Sequence, residues 1–101
     1  MAEKGFAELD DIIHSKIRLG VMSILMTAES AQFTYLKEVI KTTEGNLSVH
    51  LRKLEDAGYI RVEKKFVRRK PQTLCRITSK GRKAFERYVE ALEEIIGKQS
   101  F

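Results

Sequence analysis

The sequence predicts a mainly α-helical domain that carries one small β-hairpin. Apolar residues recur at helical spacing in separate stretches before residue 58 and after residue 78. Between them, over residues 60–77, the apolar period drops to two. Gly58 stands where the first regime gives way to the second. With 101 residues there is room for one domain and one core, so a single unit spanning 1–101 is expected. Hydrophobic residues make up 43% and charged residues 33%, the balance of a folded rather than a disordered chain.

From Asp11 to about Thr27, Ile13, Ile17, Val21, Ile24 and Leu25 share one helical face. Ser15 is placed to cap a second helical piece within that stretch. Glu29-Ser30-Ala31-Gln32 reads as a polar break, with Thr34 as the next N-cap. Leu36, Val39 and Ile40 then mark a short helix, and Lys41 to Gly45 read as a tight turn. The next helix, about 44–57, buries Leu47, Leu51 and Leu54 and stops at Ala57-Gly58. Glycine is favoured there because the backbone turns left-handed just past a helix end.

Ile60 and Val62, with Lys64 in phase, share one strand face, and Arg61 and Glu63 share the other. A basic stretch from Val67 to Gln72 leads to a second strand with Thr73, Cys75 and Ile77 on one face. Pro71 suits a hairpin tip or an edge but not a central strand, because it has no N–H to donate. Thr78 or Ser79 caps the last helix, about 78–97, whose apolar positions are Phe85, Tyr88, Val89, Leu92, Ile95 and Ile96. That stripe is more apolar surface than so small a domain covers alone. It predicts pairing with the same helix of a second copy.

The net charge is +5, and its distribution says more than its size. Between Arg61 and Lys83 lie ten Lys or Arg and one acid, Glu63. Met1 to Glu29 carries five acids against three bases. A helix over about 44–57, held by its leucines, turns Asn46, Ser48, Val49, Arg52 and Lys53 outward. These are side-chain types that read base edges: Asn pairs with adenine, Arg with guanine, Ser with either, and Val touches a thymine methyl. Lys65, Arg68, Arg69 and Lys70 around the hairpin tip suit phosphates or the minor groove. Thr43 and His50 are further backbone-contact candidates, although His50 equally suits half-buried packing. Two helices, a short turn and a basic hairpin make a winged helix-turn-helix, here with a C-terminal dimerisation helix.

The run Gly45-Asn46-Leu47-Ser48-Val49-His50-Leu51-Arg52-Lys53-Leu54-Glu55-Asp56-Ala57-Gly58-Tyr59-Ile60 resembles the recognition helix of MarR/ArsR-like winged-helix regulators. Ile77-Thr78-Ser79-Lys80-Gly81-Arg82 resembles the end of their wing and the start of the dimerisation helix. Ile13-His14-Ser15-Lys16-Ile17-Arg18 resembles the domain's opening, with Lys16 where many relatives carry proline. The resemblance spans residues 9–96. It implies a transcriptional regulator, most simply a repressor, that binds double-stranded DNA as a homodimer with its recognition helices in successive major grooves.

Other classes find less support. The sequence has no glycine-rich phosphate loop, no metal-ligand cluster and no nucleophile beside a base, so no catalytic residue, cofactor or metal is expected. A winged helix serving as a protein-interaction module is the main alternative, and the basic tip argues against it. A small-molecule effector between the terminal helix and the DNA-binding lobe stays open. Cys75 is alone, so it forms no internal disulfide, and its strand position makes it a small buried hydrophobe. An acidic N-terminus without a signal peptide's apolar stretch, and no apolar run long enough to span a bilayer, give the expectation of a cytoplasmic protein.

Overall fold

The computed structural model describes residues 6–97. Its elements run α1 (Lys16–Ala28), β1 (Ser30–Gln32), α2 (Phe33–Ile40), α3 (Glu44–Asp56), β2 (Ile60–Val67), β3 (Lys70–Ile77) and α4 (Ser79–Gly97).

Three of the four helices start at a side chain that accepts from an orphan amide. Ser15 caps α1, its hydroxyl accepting from the Arg18 amide at 3.5 Å. Residues 11–13, expected to be helical, form a turn instead. The Asp10 carboxylate accepts from the amides of Ile12 and Ile13 at 2.8 and 3.2 Å, and such local bonds compete with a helix. The cap of α2 is Gln32, which makes no side-chain cap bond, so Thr34 lies inside the helix rather than capping it. The expected turn over 41–45 shortens to 41–43, with Lys41 left-handed at φ 60°. Thr43 caps α3 by accepting from the Asn46 amide at 3.1 Å. Past α3, Gly58 adopts φ 81°, the left-handed conformation expected of it.

The sheet is antiparallel with strand order β1-β3-β2. Its third strand corrects the reading of 29–32 as a mere break. Ser30, Ala31 and Gln32 pair with Arg76, Cys75 and Leu74. Three residues held by backbone bonds are too few to show an alternating pattern. The hairpin is also longer than expected, because Lys70 to Gln72 belong to β3 and the turn is only Arg68-Arg69. Both turn residues have positive φ, 53° and 68°, as a two-residue type I′ turn demands.

Pro71 therefore sits in the middle strand of the sheet, where none was expected. Two facts make this tolerable. β1 reaches only as far as Leu74, so β3 has a single neighbour at Pro71. Val67 and Lys70 close the turn as a hydrogen-bonded pair, which makes Phe66–Pro71 a non-hydrogen-bonded pair. No donor is required of Pro71.

The core lies between the helices and the inner sheet face: Met22 and Leu25 of α1, Leu36 of α2, Leu47 and Leu54 of α3, and Cys75 of β3 are fully buried. Thr78, rather than Ser79, caps α4. Its hydroxyl accepts from the Gly81 amide at 3.0 Å and donates to the Gly58 carbonyl at 2.6 Å. Gly81 is buried so tightly that an added Cβ would stand 2.1 Å from the Tyr59 carbonyl oxygen. Among the described residues, no helix is long and apolar enough to cross a membrane.

Candidate nucleic-acid interface

Three leucines fix how α3 is rotated. Leu47, Leu51 and Leu54 are buried, so the far side of the helix must face outward. Asn46, Ser48, Val49, Arg52 and Lys53 are all exposed, as the spacing predicted. Ser48 and Arg52 stand on the flank turned toward the hairpin. With Glu44, Glu55, Val62, Lys64 and Thr73 they line an open hollow of about 320 Å³ between α3 and the wing. Around it the carboxylates of Glu44 and Glu55 are balanced by the cations of Arg52 and Lys64. Asn46 and Lys53 lie on the opposite flank, toward His50.

His50 is half-buried, and its setting gives it a definite tautomer. Arg18 reaches from α1 to His50 Nδ1 at 2.7 Å. A guanidinium only donates, so Nδ1 accepts and the ring proton sits on Nε2. Burial first, and then the charges of Arg18 and Lys53, hold the His50 pKa below its ordinary value. Arg18 also donates through Nε to the Ile12 carbonyl, tying α3 to the turn before α1. This contact was not legible in the sequence, where Arg18 is one base in an acidic segment. Thr43 is exposed, but its hydroxyl already serves as the α3 cap.

The wing carries its charge outward. Lys65, Arg68, Arg69 and Lys70 are exposed, as is every residue from Glu63 to Pro71. Glu63, the wing's one acid, pairs with Arg76 at 3.6 Å across the strands. The exposed aromatic Phe66 lies among these cations, with no periodic pattern in the sequence to mark it.

The α4 stripe divides in two. Tyr88 and Ile95 are buried within the chain, 2% and 8% exposed, and the Tyr88 hydroxyl lies 2.8 Å from His14 Nδ1. Phe85 and Leu92 are half-buried against the same core. Val89 and Ile96 face outward, with Ile96 56% exposed. Beside this helix a hollow of about 470 Å³ is lined by residues 7–10 together with Ala84, Arg87, Tyr88, Glu90, Ala91 and Glu94. The Tyr59 hydroxyl donates to the Asp10 carboxylate, and burial with that bond pushes its pKa up to about 12. Cys75 is fully buried and its thiol is pushed up to about 11, mainly by burial, which leaves little reactive thiolate. No cluster of metal-ligating side chains occurs among the described residues.

A leucine-anchored helix with an exposed mixed polar face, beside a basic two-stranded hairpin, defines a winged helix-turn-helix. The comparisons agree. The pattern of the winged helix DNA-binding domain family matches residues 17–96, and the chain belongs to that family, one of DNA-binding proteins rather than enzymes. It is 38% identical over 78 residues to an uncharacterized protein of Methanocaldococcus jannaschii, covering 77% of this chain and 85% of that one. Its fold is similar to that of a transcriptional regulator homologue from Pyrococcus horikoshii OT3, with a TM-score of 0.90 and 29% identity over 97% of this chain and 99% of that one. It also shares its fold with a MarR family transcriptional regulator from Streptomyces coelicolor solved in complex with DNA. There the TM-score is 0.59 and the identity 17%, over 98% of this chain and 71% of that one.

Proposed function

We propose that this protein is a sequence-specific transcriptional regulator that binds double-stranded DNA as a homodimer and represses by occluding promoter DNA. The observation that carries the reading is the pairing of one exposed helix face with one basic hairpin. α3 offers Asn46, Ser48, Val49, Arg52 and Lys53 to base edges, and the wing offers Lys65, Arg68, Arg69 and Lys70 to the backbone. The MarR family regulator solved with DNA gives the fold a precedent for such binding. The outward Val89 and Ile96, with the rims of Phe85 and Leu92, are the surface on which a second α4 would pack. Selection from a pool of random duplexes tests this. An enriched inverted repeat with half-sites about 10 bp apart supports a two-fold dimer. A pool that shows no enrichment refutes sequence reading by α3.

The hollow beside α4 favours a second, compatible reading, in which a small organic effector binds there and weakens DNA binding. Arg87 is the only cation lining it among the described residues. A small-molecule thermal-shift screen should yield stabilising compounds that lose their effect on Arg87→Ala. The absence of any such compound removes this reading.

A further inference from the structure

Phe66 is 78% exposed, the most exposed of the large hydrophobics on the described surface, and it sits on β2, an edge strand. An aromatic ring on an exposed edge invites strand pairing and aggregation unless it has work to do. Its surroundings indicate the work. Lys64, Lys65, Arg68, Arg69 and Lys70 flank it, and no acid lies between residues 64 and 70. Its cross-strand partner is Pro71, so the two side chains share one face of the wing tip.

Strand alternation fixes which face that is. Phe66 shares the side of β2 that carries Val62 and Lys64, and those two residues line the hollow opposite Ser48 and Arg52 of α3. The apolar pair therefore lies on the wing face turned toward the recognition helix. Phe66 is four residues beyond Val62, roughly 13 Å along an extended strand. Half a turn of B-DNA, from a major groove to the adjacent minor groove, is about 17 Å. The strand therefore carries the tip most of that distance from the hollow beside α3, toward the minor groove adjacent to the major groove that α3 would occupy.

We infer that Phe66, backed by Pro71, is an apolar wedge that enters the minor groove beside each α3 half-site and opens a base-pair step there. This inference rests on the DNA-binding reading above. The surrounding cations neutralise the phosphates on both groove walls, and the ring partly unstacks the step. Wedges of this kind kink the duplex by about 20–90° toward the major groove. Unstacking is easiest at pyrimidine–purine steps and hardest in stiff A-tracts. Phe66 thus selects sequence at a position that α3 never touches.

The test uses wild-type protein and the inverted-repeat duplex enriched by selection, end-labelled with a donor and an acceptor dye. 2-Aminopurine replaces adenine in a TA step about 5 bp from each half-site centre. Wild-type protein should raise the 2-aminopurine fluorescence and shorten the end-to-end distance. It should also bind this duplex about fivefold or more tightly than one with an A-tract at that position. Phe66→Ala should lose all three effects while keeping the wild-type salt slope, because no cation is removed; Phe66→Trp should retain them. Wild-type binding without unstacking or bending, or a Phe66→Ala variant that still does both, overturns the wedge and leaves DNA binding standing. Failure of the wild-type protein to bind any duplex overturns both.

Discussion

The wing turn makes a prediction in which stability and function move in opposite directions. Arg68 and Arg69 occupy the left-handed region at φ 53° and 68°, where an L-residue with a Cβ is disfavoured by about 1–2 kcal/mol. Asn-Gly is the pair that a type I′ turn prefers. The double substitution Arg68→Asn with Arg69→Gly relieves strain at both positions, though glycine returns part of the gain as unfolded-chain entropy. The net should be a gain of about 1 kcal/mol, read as a higher urea midpoint at unchanged slope. The same change removes two cations from the tip. Each lost phosphate contact lowers the slope of log K against log salt by about 0.9, so the slope should fall by about 1.8 per chain. Over a fourfold range of salt, that is about a tenfold smaller change in affinity per wing. Fluorescence anisotropy with a labelled duplex at several salt concentrations reads it directly. A stability loss would contradict the turn geometry, and an unchanged slope would take the tip off the phosphates.

Gly81→Ala should be among the most damaging single changes. An alanine Cβ would collide with the Tyr59 backbone and push α4 away, weakening both Thr78 bonds. Overpacking of about 1–3 kcal/mol and about 1 kcal/mol per weakened bond outweigh the roughly 1 kcal/mol that alanine gains in a helix. A denaturant midpoint within experimental error of wild type would refute the close approach. Arg52→Ala should flatten base preference at one position of each half-site, worth about 1–3 kcal/mol of discrimination. An unchanged selection profile would deny Arg52 a base contact. Ile96→Glu, at a residue 56% exposed and outside the buried core, should turn a sedimenting dimer into a folded monomer. A persistent dimer would move the interface elsewhere.

His50 sets a pH dependence. Its pKa is held below the unfolded value of 6.5, so the unfolded chain binds the proton more readily. The stability associated with neutral His50 is complete above about pH 6.5 and is lost as pH falls through the folded pKa. Protonation also removes the Nδ1 lone pair that accepts from Arg18. Chemical denaturation from pH 7.5 to 5 should show a decline that His50→Gln reduces. Equal declines in the two proteins would rule His50 out as the source.

The outline of the fold was legible because its helices and hairpin bury one face each. Leu47, Leu51 and Leu54 alone fix the rotation of α3, and hence the exposed candidate set. What the sequence hid was held by backbone or by distant partners. β1 is three residues paired through main-chain bonds to β3, with no side-chain signature. The Asp10 turn displaced a predicted helix through two carboxylate–amide bonds that periodicity does not register. Arg18 lies 32 positions before His50, and no local pattern links them. In the sequence the α4 stripe reads as one interface, because burial in its own chain and burial in a partner look alike there. The structure separates inward Tyr88 and Ile95 from outward Val89 and Ile96.

Affinity cleavage tests the central claim, that α3 and the wing engage neighbouring grooves, most directly. Cys75 is fully buried, so an iron chelate can be attached selectively to a cysteine introduced at Ser48 or at Arg69, both exposed. On the selected duplex, the two proteins should cut at localised positions about 5 bp apart, half a helical turn, repeated symmetrically in each half-site. Cuts centred on the same base pairs, or spread evenly along the duplex, would contradict it.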